Sequence, residues 1–188
     1  MIKEYLSSIN IFKNSEIDEV IQFGSYHKYK KGDFFIKEGQ ISKNMAFINS
    51  GILRSYYYSN SGNEITYCLS FPESFITAFS SYISQEKSSI NIQALSDTEL
   101  FVIQKNQMDK LIKENTNWLL FQKQTAEKYF MTLEKRVFEH QKEKAENRYT
   151  NLIKRHPEYI KQIPLQYIAS YLGITQRHLS RIRAKTDF

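Results

Sequence analysis

The chain has one cysteine, Cys68, among 188 residues. No disulfide can form within it, and an iron–sulfur cluster, which needs several thiolates, has no ligand set. A reducing cytoplasm is the compartment this suggests, and Cys68, inside a patterned strand, reads as a small packed residue. Histidine is scarce as well. His27, His140, His156 and His178 are the four, and only the first precedes residue 140. A metal site inside a β-barrel needs two or three histidines and a carboxylate gathered together, so no metal ligand and no metal-dependent catalysis are expected. His27 reads as a strand-edge surface residue, and nothing specific supports haem at His27 or His140. Long uncharged apolar runs are missing, which argues against a membrane span. The opening segment MIKEYLSSINIFKNSE carries acids and no apolar core, unlike a signal peptide. Neither G-x-x-x-x-G-K-[ST] nor G-x-G-x-x-G occurs, so nucleotide hydrolysis and dinucleotide binding have no basis. These absences together predict a protein that is not an enzyme.

The charge that is present is unevenly placed. Residues 1–140 hold 16 Lys and Arg against 16 Asp and Glu, whereas residues 141–188 hold 10 against 4. The whole surplus of +6 therefore falls in the last quarter, and a basic terminal segment on a neutral body suggests a polyanionic partner. The 13 Tyr and 13 Phe lie mostly earlier, where strands are expected.

Residues 15–23 predict a short helix capped by Ser15, with Ile17, Val20 and Ile21 inward. From residue 28 short β segments follow, punctuated by Gly32, Gly39, Gly51 and Gly62: YKKGDFFIKEGQ, MAFINSG, ILRSYYYSNSGNEITYCLSF, INIQALS and TELFVIQ. Asn60-Ser61-Gly62-Asn63 is a hairpin signal. Ile65, Tyr67, Leu69 and Phe71 alternate with Thr66, Cys68 and Ser70, as Ile90, Ile92 and Ala94 do with Asn91 and Gln93, predicting one inward face for each strand. Closely spaced strands of this kind predict an antiparallel roll or barrel. Helix is expected from residue 105, around KNQMDKLIKEN, and again from about Trp118 to His140. In the second helix Leu119, Ala126, Phe130, Leu133 and Val137 form a heptad-like seam, with Phe121, Tyr129 and Phe138 on a further apolar side. A helix with two apolar sides should meet its own domain and a second copy of the chain, which predicts a homodimer. A polar helix over residues 141–155 and a break at His156-Pro157 follow.

Residues 164–184, PLQYIASYLGITQRHLSRIRA, have the pattern of two short helices joined by a tight turn. Ala169 fits a helix crossing, Gly173 can close the first helix in the left-handed region, and Thr175 can cap the second. Ile174 and Leu179 form a staple, with Leu165, Ile168, Leu172 and Ile182 completing the inner side. The outer side of the second helix carries Gln176, Arg177, Ser180, Arg181 and Lys185. Arg pairs bidentately with guanine and Gln with adenine, so Gln176, Arg177 and Arg181 are assigned to base edges. Thr175, Ser180 and Lys185 are assigned to phosphates. A partner in double-stranded DNA follows. A module that contacts another protein instead remains the alternative, and steep salt dependence of DNA binding would separate the two.

With these elements in place, the chain resembles the Crp/Fnr family, the bacterial regulators related to the cyclic-AMP receptor protein, and in its compact size a short group found in the Bacteroidetes. The resemblance covers essentially the whole chain: the glycine-punctuated roll (KKGDFFIKEGQ, FINSGILRSYYYSNSGNE), the long central helix, and GITQRHLSRI as recognition helix. It implies an α+β architecture. Residues 1–115 would be a cyclic-nucleotide-binding-like jelly roll, 116–142 the dimerisation helix, and 143–188 a helix-turn-helix domain reading a pseudo-palindromic operator. RNA polymerase is left open as a further partner. Two departures from the family stand out. Its phosphate-binding cassette pairs a Gly-Glu with an Arg-Ser ten residues on, and here Thr77 and Ala78 stand at the first pair and Ser88 and Ser89 at the second. Phe75 and Lys87 complete the effector-cavity candidates. Without the guanidinium and the carboxylate, cyclic AMP is expected to bind weakly or not at all; another effector, or cyclic-nucleotide control after all, stays open, and no cofactor is assigned. The C-terminal wing of the family is expected to be absent or much reduced. The layout implies that a signal in the roll shifts the long helices and so the spacing of the recognition helices, which must match about 34 Å of DNA.

Overall fold

The structure is a computed structural model and describes residues 1–185. The chain opens with two helices, α1 (Ile2–Ser8) and α2 (Asn14–Phe23). Helix α2 starts one residue before the expected cap at Ser15. The Glu16 carboxylate accepts the Lys13 backbone N–H at 2.7 Å and supplies the orphan-donor partner that Ser15 was expected to provide. The same carboxylate accepts from the side chain of Asn117, 101 residues away, which fastens α2 to the root of the long helix. Ile17 and Val20 are buried as expected; Ile21 is half-buried.

Eight strands follow: β1 (Ser25–Tyr29), β2 (Phe34–Ile36), β3 (Asn44–Ser50), β4 (Leu53–Tyr58), β5 (Glu64–Ser70), β6 (Phe75–Ile76), β7 (Asn91–Ala94) and β8 (Thr98–Gln104), with a six-residue helix α3 (Phe79–Ser84) between β6 and β7. They form two antiparallel four-stranded sheets, in the orders β1-β8-β3-β6 and β2-β7-β4-β5, which together make the expected jelly roll. His27 sits exposed on the edge strand β1. Between the sheets lies an aliphatic layer that includes Ile36, Ile48, Leu53, Ile76, Ile92 and Leu100. Gly51 makes the β3–β4 turn at φ 92°, where an added Cβ would meet Thr98 Oγ1 at 2.2 Å.

Strand β5 departs from the simple alternation. Its register shifts opposite Ser55 and Tyr56, a bulge that sets one extra residue into the strand. Thr66 and Leu69 are buried as a result, while Ile65, Tyr67 and Cys68 are only half-buried. Burial pushes the Cys68 thiol above its usual range even with the Arg136 guanidinium nearby, so it stays protonated.

The remaining helices are α4 (Lys105–Glu114), α5 (Thr116–Lys142), α6 (Ala145–Arg155), α7 (Pro157–Ile160), α8 (Leu165–Tyr171) and α9 (Gln176–Lys185). The break expected at His156-Pro157 is a new helix start, because proline at a first helical position sacrifices no hydrogen bond. A cluster of Ile2, Leu6, Ile17, Val20, Phe47, Phe101, Met108, Trp118 and Phe121 covers the outer face of the first sheet. The outer face of the second sheet is covered by the C-terminal helices, whose core runs into Ile52, Leu69, Phe71 and Leu95 of the roll. No described helix is long and apolar enough to cross a membrane.

Candidate nucleic-acid interface and roll cavity

Helices α8 and α9 are set by the turn residues between them. Gly173 takes φ 67°, its N–H donates to Ser170 O at 3.1 Å, and the Ile174 N–H donates to Ala169 O at 3.0 Å. That pair of bonds is the Schellman closure, which satisfies carbonyls the helix leaves free. Thr175 then caps α9, its hydroxyl accepting the His178 N–H at 3.2 Å. Leu179 and Ile182 are fully buried among Ile168, Ala169, Leu172, Tyr149 and Leu152. The opposite side of α9 is free: Gln176, Arg177, Ser180, Arg181 and Lys185 are all exposed. No Asp or Glu occurs in α9. Two details differ from a reading of residue types. The Ser180 hydroxyl is turned back onto its own helix, donating to Gln176 O at 3.0 Å. Arg183 adds a further exposed guanidinium on this helix; its spacing of seven from Gln176 carried the signal. A wing after Lys185 lies outside the described residues.

Arg148 ties this pair of helices to the end of α5. It donates to Glu143 O at 2.5 Å and to Leu172 O at 2.8 Å. His140, near the end of α5, approaches Gly173. Burial, then the Arg148 and Arg136 charges, hold its imidazole below the ordinary range.

Helix α5 presents two different sides. Trp118 and Phe121 are buried and Tyr129 is half-buried, stacking on Phe79 of α3 at 4.5 Å. The seam residues Leu119, Ala126, Phe130 and Val137 are exposed and Leu133 is half-buried. Phe138, expected on the inner side, is exposed too, together with Leu120 and Met131. At 100° per residue these three lie roughly 110° from the seam, a second exposed apolar strip separated from it by the exposed Lys123, Glu127 and Glu134.

The six effector-cavity candidates do not come together. Thr77, Ala78 and Ser88 are buried, whereas Lys87 and Ser89 are exposed. Phe75 lies on the opposite face of β6 from Ile76 and packs with Tyr5, Phe47 and Phe121 outside the roll, because successive side chains of a strand point to opposite faces. The buried hydroxyls are already engaged. Thr77 Oγ1 donates to Asn44 O at 2.8 Å and Ser88 Oγ to Ile90 O at 2.9 Å. Among the described residues the one buried charged side chain is Arg54. It follows Leu53, which points into the roll, so Arg54 points out of it.

Residues 26–115 match the family described as cyclic nucleotide-binding domain. No curated protein matches the chain by sequence. Its fold is similar to that of FixK2 from Bradyrhizobium japonicum, at a TM-score of 0.75 and 15% identity over 86% of this chain and 83% of that one. It is similar also to CLP, a c-di-GMP-responsive global regulator of Xanthomonas campestris, at 0.72 and 11% identity over 92% and 91%. A Crp/Fnr-family transcriptional regulator from Eubacterium rectale matches at 0.73 and 18% identity over 97% and 87%.

Proposed function

Proceeding from a chain that carries a cyclic nucleotide-binding domain and has the fold of the Crp/Fnr-like regulators, we propose that it is a transcription regulator that binds double-stranded DNA as a homodimer. Residues 1–115 are the sensor roll, 116–142 the dimer helix and 143–188 the reading domain. One observation carries the reading: an acid-free helix, α9, projects Gln176, Arg177, Arg181 and Lys185 into solvent on a rigid, capped turn. Gln176, Arg177 and Arg181 contact base edges. Thr175 at the helix start, Arg183 and Lys185 contact phosphates. Ser180, with its hydrogen already given to Gln176 O, accepts rather than donates in the interface.

The test is selection of bound duplexes from a random-sequence pool, followed by titration of the selected duplex across a salt series. A selected pseudo-palindrome and a steep negative dependence of log K on log salt are expected, because each neutralised phosphate releases counterions. Failure to enrich any sequence, with a flat salt dependence, would favour a protein-contacting module instead.

The signal is not cyclic AMP in this reading. The interior of the roll is aliphatic, the Thr77 and Ser88 hydroxyls are bonded to backbone carbonyls, and Lys87 lies outside. A cyclic phosphate would lose its water there without gaining a charged partner. Calorimetric titration with cyclic AMP and cyclic GMP is expected to give no heat at millimolar nucleotide; micromolar binding would restore the nucleotide-switched regulator.

A further inference from the structure

The buried guanidinium of Arg54 joins the roll to the C-terminal helices. Arg54 is 1% exposed and lies on β4 with its side chain on the outer face of the second sheet. Its Nη2 donates to Glu64 Oε2 at 2.5 Å on the neighbouring strand β5. Nε and Nη2 both donate to Gln93 Oε1 on β7, at 3.2 and 2.9 Å. The guanidinium plane is sandwiched between two rings, Tyr56 of β4 at 4.0 Å and Tyr167 of α8 at 3.6 Å. Its Nη1 is buried and has no hydrogen-bond partner among the described residues. One turn along α8, the Thr66 N–H donates to Ser170 Oγ at 2.9 Å, and Ser170 Oγ donates to Glu64 O at 3.4 Å. Helix α8 is thus bonded to β5 by its hydroxyl and covers the arginine with its ring.

We propose that Arg54 is the coupling residue between roll and reading helices: held by Glu64 and Gln93 and lidded by Tyr167, it fixes where α8 sits on the second sheet. A direct path from sensor to reader follows, beside the one through α5. Strand β7, which carries Gln93, begins two residues after Ser89 at the end of the degenerate cassette, so a shift of that strand moves the acceptor of two of the three Arg54 bonds. The arrangement is suited to switching. An ion pair whose arginine is buried contributes little net stability because desolvation offsets attraction, yet the planar, stacked guanidinium specifies orientation in a way a greasy contact cannot. The consequence for DNA rests on the reading role proposed for α9.

The experiment compares Arg54→Gln, Arg54→Lys and Tyr167→Leu in the full chain by hydrogen exchange of peptides from α8 and from β3 and β8. It also measures affinity for the duplex selected from the random pool. Tyr167→Leu leaves the roll untouched and keeps the test usable if the Arg54 variants do not fold. Exchange in α8 is expected to rise at least 10-fold in Tyr167→Leu and in both Arg54 variants, with β3 and β8 unchanged, and DNA affinity to change at least 5-fold. Lysine should not rescue, because it keeps the charge but loses the plane and the second nitrogen. Unchanged α8 exchange, or a uniform rise across the chain, overturns the proposal, as does loosened α8 with unaltered affinity. Loosened α8 in a protein whose wild type selects no duplex sustains Arg54 as the fixing residue and overturns the DNA-reading role instead.

Discussion

Arg181→Ala is expected to weaken binding to the selected duplex by about 1–3 kcal/mol per half-site if the guanidinium pairs with a base. A dimer carries the change twice, so the loss on a pseudo-palindrome is roughly 2–6 kcal/mol, or at least about 30-fold in Kd. The fold should be unaffected, since Arg181 is exposed and makes none of the contacts that hold α9, which rests on Leu179 and Ile182. Competition between the selected duplex and a scrambled one separates two roles. A loss confined to the selected duplex, with relaxed preference at one base pair, assigns Arg181 to a base edge. An equal loss on both duplexes, with a shallower salt dependence, assigns it to a phosphate.

Phe130→Glu is expected to convert the dimer to a monomer, read as a halved molar mass by sedimentation equilibrium. Phe130 is 65% exposed in the middle of the exposed seam of α5. In the single chain the substitution removes almost no packing, so thermal stability of the monomer unit should shift little. Across a twofold axis it would bury two carboxylates against each other, which is prohibitive without partners. DNA affinity should fall by orders of magnitude, because one reading helix is left per molecule. A wild-type chain already monomeric at micromolar concentration, or a variant with unaltered mass, would remove α5 as the dimer element. That result would leave its exposed Phe130, Met131 and Val137 to another partner.

The two expected effects differ in how they arise from the sequence. The α8–α9 turn is written in local chemistry: the hydrogen bonds of Gly173, Ile174 and Thr175 each span five residues or fewer, and the helical period of Leu179 and Ile182 turns them to one side. The roll was legible for the same reason, since Gly51 and the alternation in INIQAL constrain the chain over a few residues. The long helix was legible in extent, but Phe138 does not share a side with Phe121 and Tyr129: at 100° per residue it lies about 100° from the first and about 180° from the second, and it is exposed.

Other features rest on contacts that no local pattern encodes. The bulge in β5 displaces the expected alternation, and the Thr66 N–H is met by Ser170, 104 residues later. Phe75 stands beside the cassette in sequence, yet strand parity sends it to the opposite face from Ile76, into a layer built partly by α1. Arg54 carried no signal at all: a lone arginine in LRSYYY reads as a solvent-facing strand residue, and only the arrival of α8 buries it. Sequence by itself determined most of the strands, turns and longer helices, though not α1 or α3, because those follow from backbone preferences and periodicity at short range. Tertiary structure alone decided which apolar face meets which and which polar side chains are sealed between them, because burial belongs to a pair of surfaces and each carries only half of the information.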